Sequence, residues 1–169
     1  MNKKLAFVLA SVAFLLTGCF EWESEYTPSL TVTSFVTTSG DTLKNYYNSE
    51  TNIHGVDTIL MGDTVSFTVI SESFANNLVS TYIDWDSTMV KLWTITPTDD
   101  FMKILQPTTN IDILHFDYVT GYNLTLIPVK LTPLKTGNSQ LKFQVLSDSK
   151  FAEKSGIIEV RVAESKSEK

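Results

Sequence analysis

From Ser29 onward, hydrophobic side chains recur at every second residue, a period that strands satisfy and helices do not. Val65, Phe67 and Val69 alternate with Thr64, Ser66 and Thr68. Leu141, Phe143 and Val145 alternate with Gln140, Lys142 and Gln144, and Ile158, Val160 and Val162 with Ile157, Glu159 and Arg161. Such alternation marks strands with one face buried and the other wet, so Phe67 and Phe143 are predicted to point inward and Thr68 and Lys142 outward. Further strands are predicted at 29–37, 56–60, 79–85, 88–95, 112–118 and 122–131, all rich in β-branched and aromatic residues. Turn residues punctuate them at Ser39-Gly40-Asp41, His54-Gly55, Gly62-Asp63, Gly121 and Gly137-Asn138. One short helix is predicted from Asp99 to Gln106, with acids at its start and Pro107 beyond its end. About seven to nine strands so spaced specify an all-β sandwich or barrel.

The first residues follow a different pattern. Lys3 and Lys4 precede an apolar run from Leu5 to Leu16, and Thr17-Gly18 lead to Cys19, the single cysteine of the chain. A membrane-spanning helix takes ~20 apolar residues, more than this run supplies, and the order of basic, apolar and small residues is that of a secretory signal. Leu16-Thr17-Gly18-Cys19 resembles the lipobox of bacterial lipoproteins. The resemblance implies cleavage after residue 18, a diacylglycerol thioether on the Cys19 sulfur and an acyl group on its amine. Residues 1–18 are thus read as signal peptide, 19–28 as a lipidated, acidic tether, 29–163 as the domain and 164–169 as a polar tail. A lipid-bearing Cys19 leaves no thiol for a disulfide, so the domain must be held by its core. Loss of residues 1–18 leaves 11 basic against 19 acidic side chains, a net charge of −8. That balance excludes nucleic acid and anionic membrane surfaces as partners, since both require basic patches.

Leu131-Thr-Pro-Leu-Lys-Thr-Gly137-Asn-Ser-Gln-Leu141-Lys-Phe-Gln-Val-Leu-Ser-Asp148 looks like the late strands of bacterial immunoglobulin-like domains, where Pro and Gly bracket a corner and an alternating strand follows. Ile157-Ile-Glu-Val-Arg-Val162 is similar to their last strand. The resemblance covers residues 56–163 and implies an immunoglobulin-like antiparallel β-sandwich, without the paired cysteines of antibody domains.

Each sequence feature that suggests chemistry meets a competing requirement. Asp84-Trp-Asp86-Ser-Thr88 resembles the D-x-D-x-T motif of haloacid dehalogenase-type phosphatases. That chemistry needs a parallel sheet with crossover helices, which the period-two pattern excludes; a polar turn with Trp85 packed inward is expected instead. An EF-hand loop counted from Asp84 would place Met89 where glycine is required, so these acids are read as solvated, a structural Ca²⁺ being their alternative use. His54 and His115 are too few for a zinc site of three or four ligands, and alternation with Leu114 and Phe116 sets His115 on a wet face. No G-x-S-x-G elbow is present. No catalytic residue, metal or cofactor is therefore assigned.

Trp85 and Trp93 lie in strand patterns and are expected in the core, whereas Tyr46 and Tyr47, in the Asn-rich segment 40–55, are expected to be exposed and able to contact a glycan. Asp41-Thr42-Leu43, Asp57-Thr58-Ile59, Asp63-Thr64-Val65 and Asp86-Ser87-Thr88 resemble the O-glycosylation acceptor of Bacteroidetes envelope proteins, which makes Thr42, Thr58, Thr64 and Ser87 candidate acceptors. Glu21, Glu23 and Glu25 after Cys19 likewise look like the surface-export signal of Bacteroidetes lipoproteins, and no Asp follows Cys19 to signal inner-membrane retention. The expectation is a non-catalytic outer-membrane lipoprotein, anchored through its N-terminal lipid, that serves as a binding or assembly module for a protein partner. A surface glycan-binding lipoprotein is the alternative. Substitution Cys19→Ser should abolish incorporation of a labelled fatty acid in cells; label retained by the Cys19→Ser protein would refute lipidation at that sulfur.

Overall fold

The structure, a computed structural model, describes residues 26–49, 53–95 and 98–164. Residues 1–18, expected to be a signal peptide, Cys19, most of the expected tether and the last five residues lie outside the described residues, and no described helix is long and apolar enough to cross a membrane. The two cleanest alternating runs became central strands. They are β5 (Val65–Glu72) in one sheet and β10 (Gly137–Ser147) in the other. Both bury every second residue over their length.

The two sheets face each other as a β-sandwich. Sheet A has the order β1 (Ser29–Val32), β5, β9 (Leu124–Pro133), β7 (Val90–Thr94), with β2 (Val36–Thr37) also paired to β5. Sheet B runs β3 (Asn45–Asn48), β4 (Ile53–Leu60), β11 (Glu153–Ala163), β10, β6 (Leu78–Trp85), β8 (His115–Asp117). All pairings are antiparallel except β4 with β11, which run parallel, Ile158 beside His54 and Val160 beside Val56. Eleven strands are described, above the expected seven to nine, because three short ones (β2, β3 and β8) extend the sheet margins.

Several boundaries differ from expectation for identifiable reasons. The predicted strand 29–37 breaks in two, since Phe35 turns into the core between β1 and β2. His54-Gly55 is not a turn; both residues lie within β4, where pairing with β3 and β11 overrides local preference. The helix α1 (Asp99–Lys103) stops short of Gln106; the Thr98 hydroxyl accepts from the Phe101 amide at its start, and Phe101 packs edge-on against Phe116. Residues 112–118 divide into a 3₁₀ turn (Ile111–Ile113) and β8, joined by Leu114 at a φ of 50°. Gly40, Gly62 and Gly121, all at positive φ, make turns as expected, whereas Gly137 and Asn138 open β10, Gly137 at a φ of 133° directly after the turn.

The core is centred on three rings. Phe35 stacks on Phe67 with centroids 4.4 Å apart, and Phe67 meets Phe143 of the opposite sheet edge-on at 6.2 Å. A second link between the sheets is polar. Ser71 of β5 and Thr81 of β6 share a 2.9 Å hydroxyl hydrogen bond, and Thr125 of β9 donates to the Tyr118 hydroxyl at 3.1 Å. Burial pushes the Tyr118 phenol up to about 12, against the smaller opposing effect of its bonds to Thr125 and Thr81.

Phe67→Ala and Phe143→Ala should each cost about 3–5 kcal/mol through the cavity left behind, while Thr68→Ala and Lys142→Ala, on the outer faces, should cost under about 1 kcal/mol. Chemical denaturation of the four variants of the mature Cys19→Ser chain measures this, and equal losses from both pairs would overturn the inward–outward assignment. The Tyr118 phenol titrates higher folded than unfolded, so its contribution is complete below pH 10 and is lost as pH rises through about 12. By pH 11 the loss should reach about 1.4 kcal/mol, and it should vanish in Tyr118→Phe when both proteins are unfolded in denaturant at pH 9 and pH 11.

Candidate functional site

The outer face of sheet A carries an apolar surface that the strand pattern does not require. Leu124, Leu126 and Pro128 project outward from the first half of β9, opposite the inward Thr125, Ile127 and Val129. Cross-strand pairing sets Ile70 beside Leu126, and on the other flank Trp93 lies beside Lys130. Ile95, one residue past the end of β7, is exposed next to this face. Leu126 and Ile95 are 52% and 53% exposed. Charged side chains rim it: the Lys91 ammonium sits 5.7 Å over the Trp93 ring, Lys130 lies beside Trp93, and Glu72 lies beside Leu124.

The same region contains an incomplete strand edge. Strand β7 pairs with β9 only from Val129 to Pro133, so Leu124–Pro128 have β5 on one side and no described strand on the other. The Thr94 hydroxyl donates to the Pro128 carbonyl at 2.7 Å, which fixes that carbonyl toward the open side. By the alternation of an extended chain, the Leu126 N–H and C=O face the same way. Pro128 has no N–H to offer and so limits how far an added strand extends.

Sheet B bears a different outer surface. Near its β6 end, a groove of about 620 Å³ is lined by Asp84, Trp85, Asp86, Gln140, Lys142 and Glu159 among others. Trp85 is half-buried against the core, as expected, and its indole N–H has no partner. Asp86 is engaged by its own turn: its carboxylate accepts from the Thr88 hydroxyl at 2.6 Å and the Thr88 amide at 2.9 Å. Those bonds, the hydroxyl's foremost, hold the Asp86 carboxyl below the ordinary aspartate value. Among the described residues no three His, Cys, Asp or Glu side chains gather as a metal-binding group.

Tyr46 and Tyr47 lie in the edge strand β3 rather than in a loop, and so point to opposite faces. Tyr46 lies across Gly55, where any side chain larger than hydrogen would collide with its ring, and its hydroxyl is buried without a partner. Tyr47 is exposed and meets the His54 ring at 5.1 Å. A shallow depression of about 440 Å³ joins both tyrosines to Asp57 and Arg161. It offers one accessible ring, not a row. Trp93, expected in the core, is instead half-buried on the outer face of sheet A, because Leu92 and Thr94 take the inward positions of β7.

His115 lies on the outer face of β8 as expected, half-buried, with its Nε2 2.9 Å from the Asp117 carboxylate and its ring 4.1 Å from that of Tyr82. Ser80 pairs in register with Asp117, not with His115, and its hydroxyl is buried without a partner. Nucleophile, base and orienting acid therefore do not stand in the order that acyl transfer requires. Of the candidate glycan acceptors, Thr42 and Ser87 are exposed, whereas Thr58 is half-buried in β4 and the Thr64 hydroxyl bonds to that of Thr132 at 3.0 Å.

No family model matches the chain, and no curated protein matches it. Solved structures do. A chain of a cohesin–dockerin complex is 12% identical, with a TM-score of 0.41 over 63% of this chain and 94% of its own. A family 123 glycoside hydrolase from Clostridium perfringens is 11% identical, with a TM-score of 0.44 over 83% of this chain but 28% of the hydrolase. AggA, the major subunit of aggregative adherence fimbriae type I from Escherichia coli, is 11% identical, with a TM-score of 0.36 over 82% of this chain and 98% of its own. Likeness at this level concerns sandwich architecture alone, and a sandwich hosts many functions.

The apolar face was the feature that strand periodicity alone did not reveal. Its signal is nonetheless present, since Leu124, Leu126 and Ile127 on β9 and Val69-Ile70 on β5 place apolar residues at both parities of their strands. Such double-sided strands belong under cover.

Proposed function

We propose that this chain is a non-catalytic envelope lipoprotein, anchored to the outer membrane through lipid on Cys19, whose domain binds a protein partner through the outer face of sheet A. The observation that carries this reading is the joined patch of Ile70, Leu126, Pro128, Trp93 and Ile95 beside the incomplete edge of β9. An apolar surface with a charged rim suits a protein interface. An open strand edge allows a partner to add main-chain hydrogen bonds to side-chain burial. The lipobox-like Leu16-Thr17-Gly18-Cys19 supports the anchor. A glycan ligand is supported less, because Tyr46 is turned onto Gly55 and leaves Tyr47 alone as a stacking platform.

In-cell photo-crosslinking tests the reading in the native host. A photoreactive residue at Leu126 should yield one discrete adduct that the same probe at Lys142, on the outer face of sheet B, does not. Substitution Ile95→Lys should reduce that adduct at least tenfold, as expected when an apolar interface residue is replaced by a charge worth about 1.4 kcal/mol or more. Equal adducts from both positions, or none from Leu126, would refute a partner on sheet A.

A further inference from the structure

A second exposed apolar surface lies at the end of the sandwich where the described chain begins. Register fixes what shares that end: Ser29 and Leu124 both pair with Glu72, Ser147 pairs with Leu78, and Leu146 with Glu153. The loops there are tied together. The Asn77 amide and side chain donate to the Asp148 carboxylate, its side-chain oxygen accepts from the Gly121 amide, and the Ser73 amide donates to the Asn123 carbonyl. On this braced frame stand Tyr26, Phe74, Tyr122 and Phe151, four of the five exposed aromatic side chains among the described residues. Tyr26 and Phe151 are 64% and 50% exposed, and the Tyr26 ring lies 6.0 Å from that of Phe74.

Phe74 also sits at a φ of 57°, a conformation that costs energy for a bulky residue. The strain holds an aromatic ring outward, where burial within this domain does not repay it. Charge at this end is mixed, with Glu72, Asp148 and Glu153 alongside Lys150 and Lys154, and the mature chain is strongly acidic. Anionic lipid is therefore not the attraction. Aromatic rings do partition into the headgroup layer of a bilayer regardless of lipid charge.

We propose that this aromatic end is a seat on the surface of a zwitterionic bilayer, which orients the lipid-anchored domain. The inference rests on the anchor reading given above. Six residues lie between Cys19 and Tyr26, and the seven steps from one to the other span at most ~25 Å. The tether thus brings this end, and not the opposite one, to the lipid. The acyl chains supply attachment, and the four rings supply orientation. Strands then stand upright on the membrane and the apolar face of sheet A looks sideways.

Labelling of the full lipidated chain tests the seat, because lipidation of Cys19 leaves an introduced cysteine as the one free thiol. Ala75→Cys lies beside Phe74, and Thr136→Cys lies in the turn between β9 and β10 at the opposite end. Each is coupled to an environment-sensitive fluorophore and placed on phosphatidylcholine–phosphatidylethanolamine vesicles with headgroup-nitroxide lipid. The Ala75 probe should shift to shorter wavelength and be quenched several-fold more than the Thr136 probe. Combined Phe74→Ser and Phe151→Ser should bring its quenching down to the Thr136 level while vesicle flotation persists. Equal quenching at both ends overturns the seat and leaves the anchor standing. A wavelength shift without lipid quenching also overturns it, and assigns this end to a protein or a second copy. Fatty-acid labelling reads the anchor separately: absence of label refutes the anchor, and the seat with it.

Discussion

The contact between Phe67 and Phe143 is the interaction on which the rest of this domain depends. It joins the two sheets at their centres, where each ring is flanked by inward valine or leucine two residues away. No disulfide limits the unfolded chain, so the free energy of folding must come from packing of this kind. Phe35 extends the stack. Because it belongs to neither β1 nor β2, its burial breaks what the period-two pattern makes one strand into two and pins the sheet margin. The buried hydroxyls of Ser71, Thr81, Tyr118 and Thr125 form a second bridge nearer the end where the chain enters. They satisfy one another across the sheet gap, where isolated hydroxyls would be costly.

With the core so fixed, the outer faces are released for separate tasks. Sheet B presents charged and polar side chains such as Asp84, Lys142, Glu159 and Arg161 to solvent. Sheet A presents Leu126, Ile95 and Trp93. The contrast arises within single strands: β9 buries Thr125 while exposing Leu126. Ile127, Val129 and Leu131 set the inward parity of β9, which carries Thr125 inside, where the Tyr118 hydroxyl accepts its hydrogen bond, and leaves Leu126 outside.

Strand periodicity predicted the layer architecture and the inward direction of Phe67 and Phe143 because those features depend on side-chain alternation alone. It missed β3 because Asn45-Tyr46-Tyr47-Asn48 has no apolar alternation; pairing with β4 and the seat of Tyr46 on Gly55 make that strand. It placed a turn at His54-Gly55 because glycine usually breaks strands, whereas here the missing side chain accommodates a ring. Trp93 was expected inside on residue type, and parity with Lys91 set it outside. The apolar face of sheet A was written in the double-sided composition of β9, yet reading it required knowing where β7 stops. The resemblance of Leu16-Thr17-Gly18-Cys19 to a lipobox lies in the linear sequence and needs no fold to be read.

The parallel pairing of β4 with β11 bears on the order in which this chain can be assembled. Strand β11 is the last strand described, yet it lies inside sheet B between β4 and β10. The β3–β4 hairpin therefore has no inner neighbour until β11 arrives, and β11 brings it into contact with β10 from the far side of the sequence. Such non-local closure delays folding. As the polypeptide emerges from its N-terminus, sheet A can gather early around β5, while one half of sheet B waits for residues 153–163. Until then β4 lacks its inner strand neighbour, and sheet B cannot close.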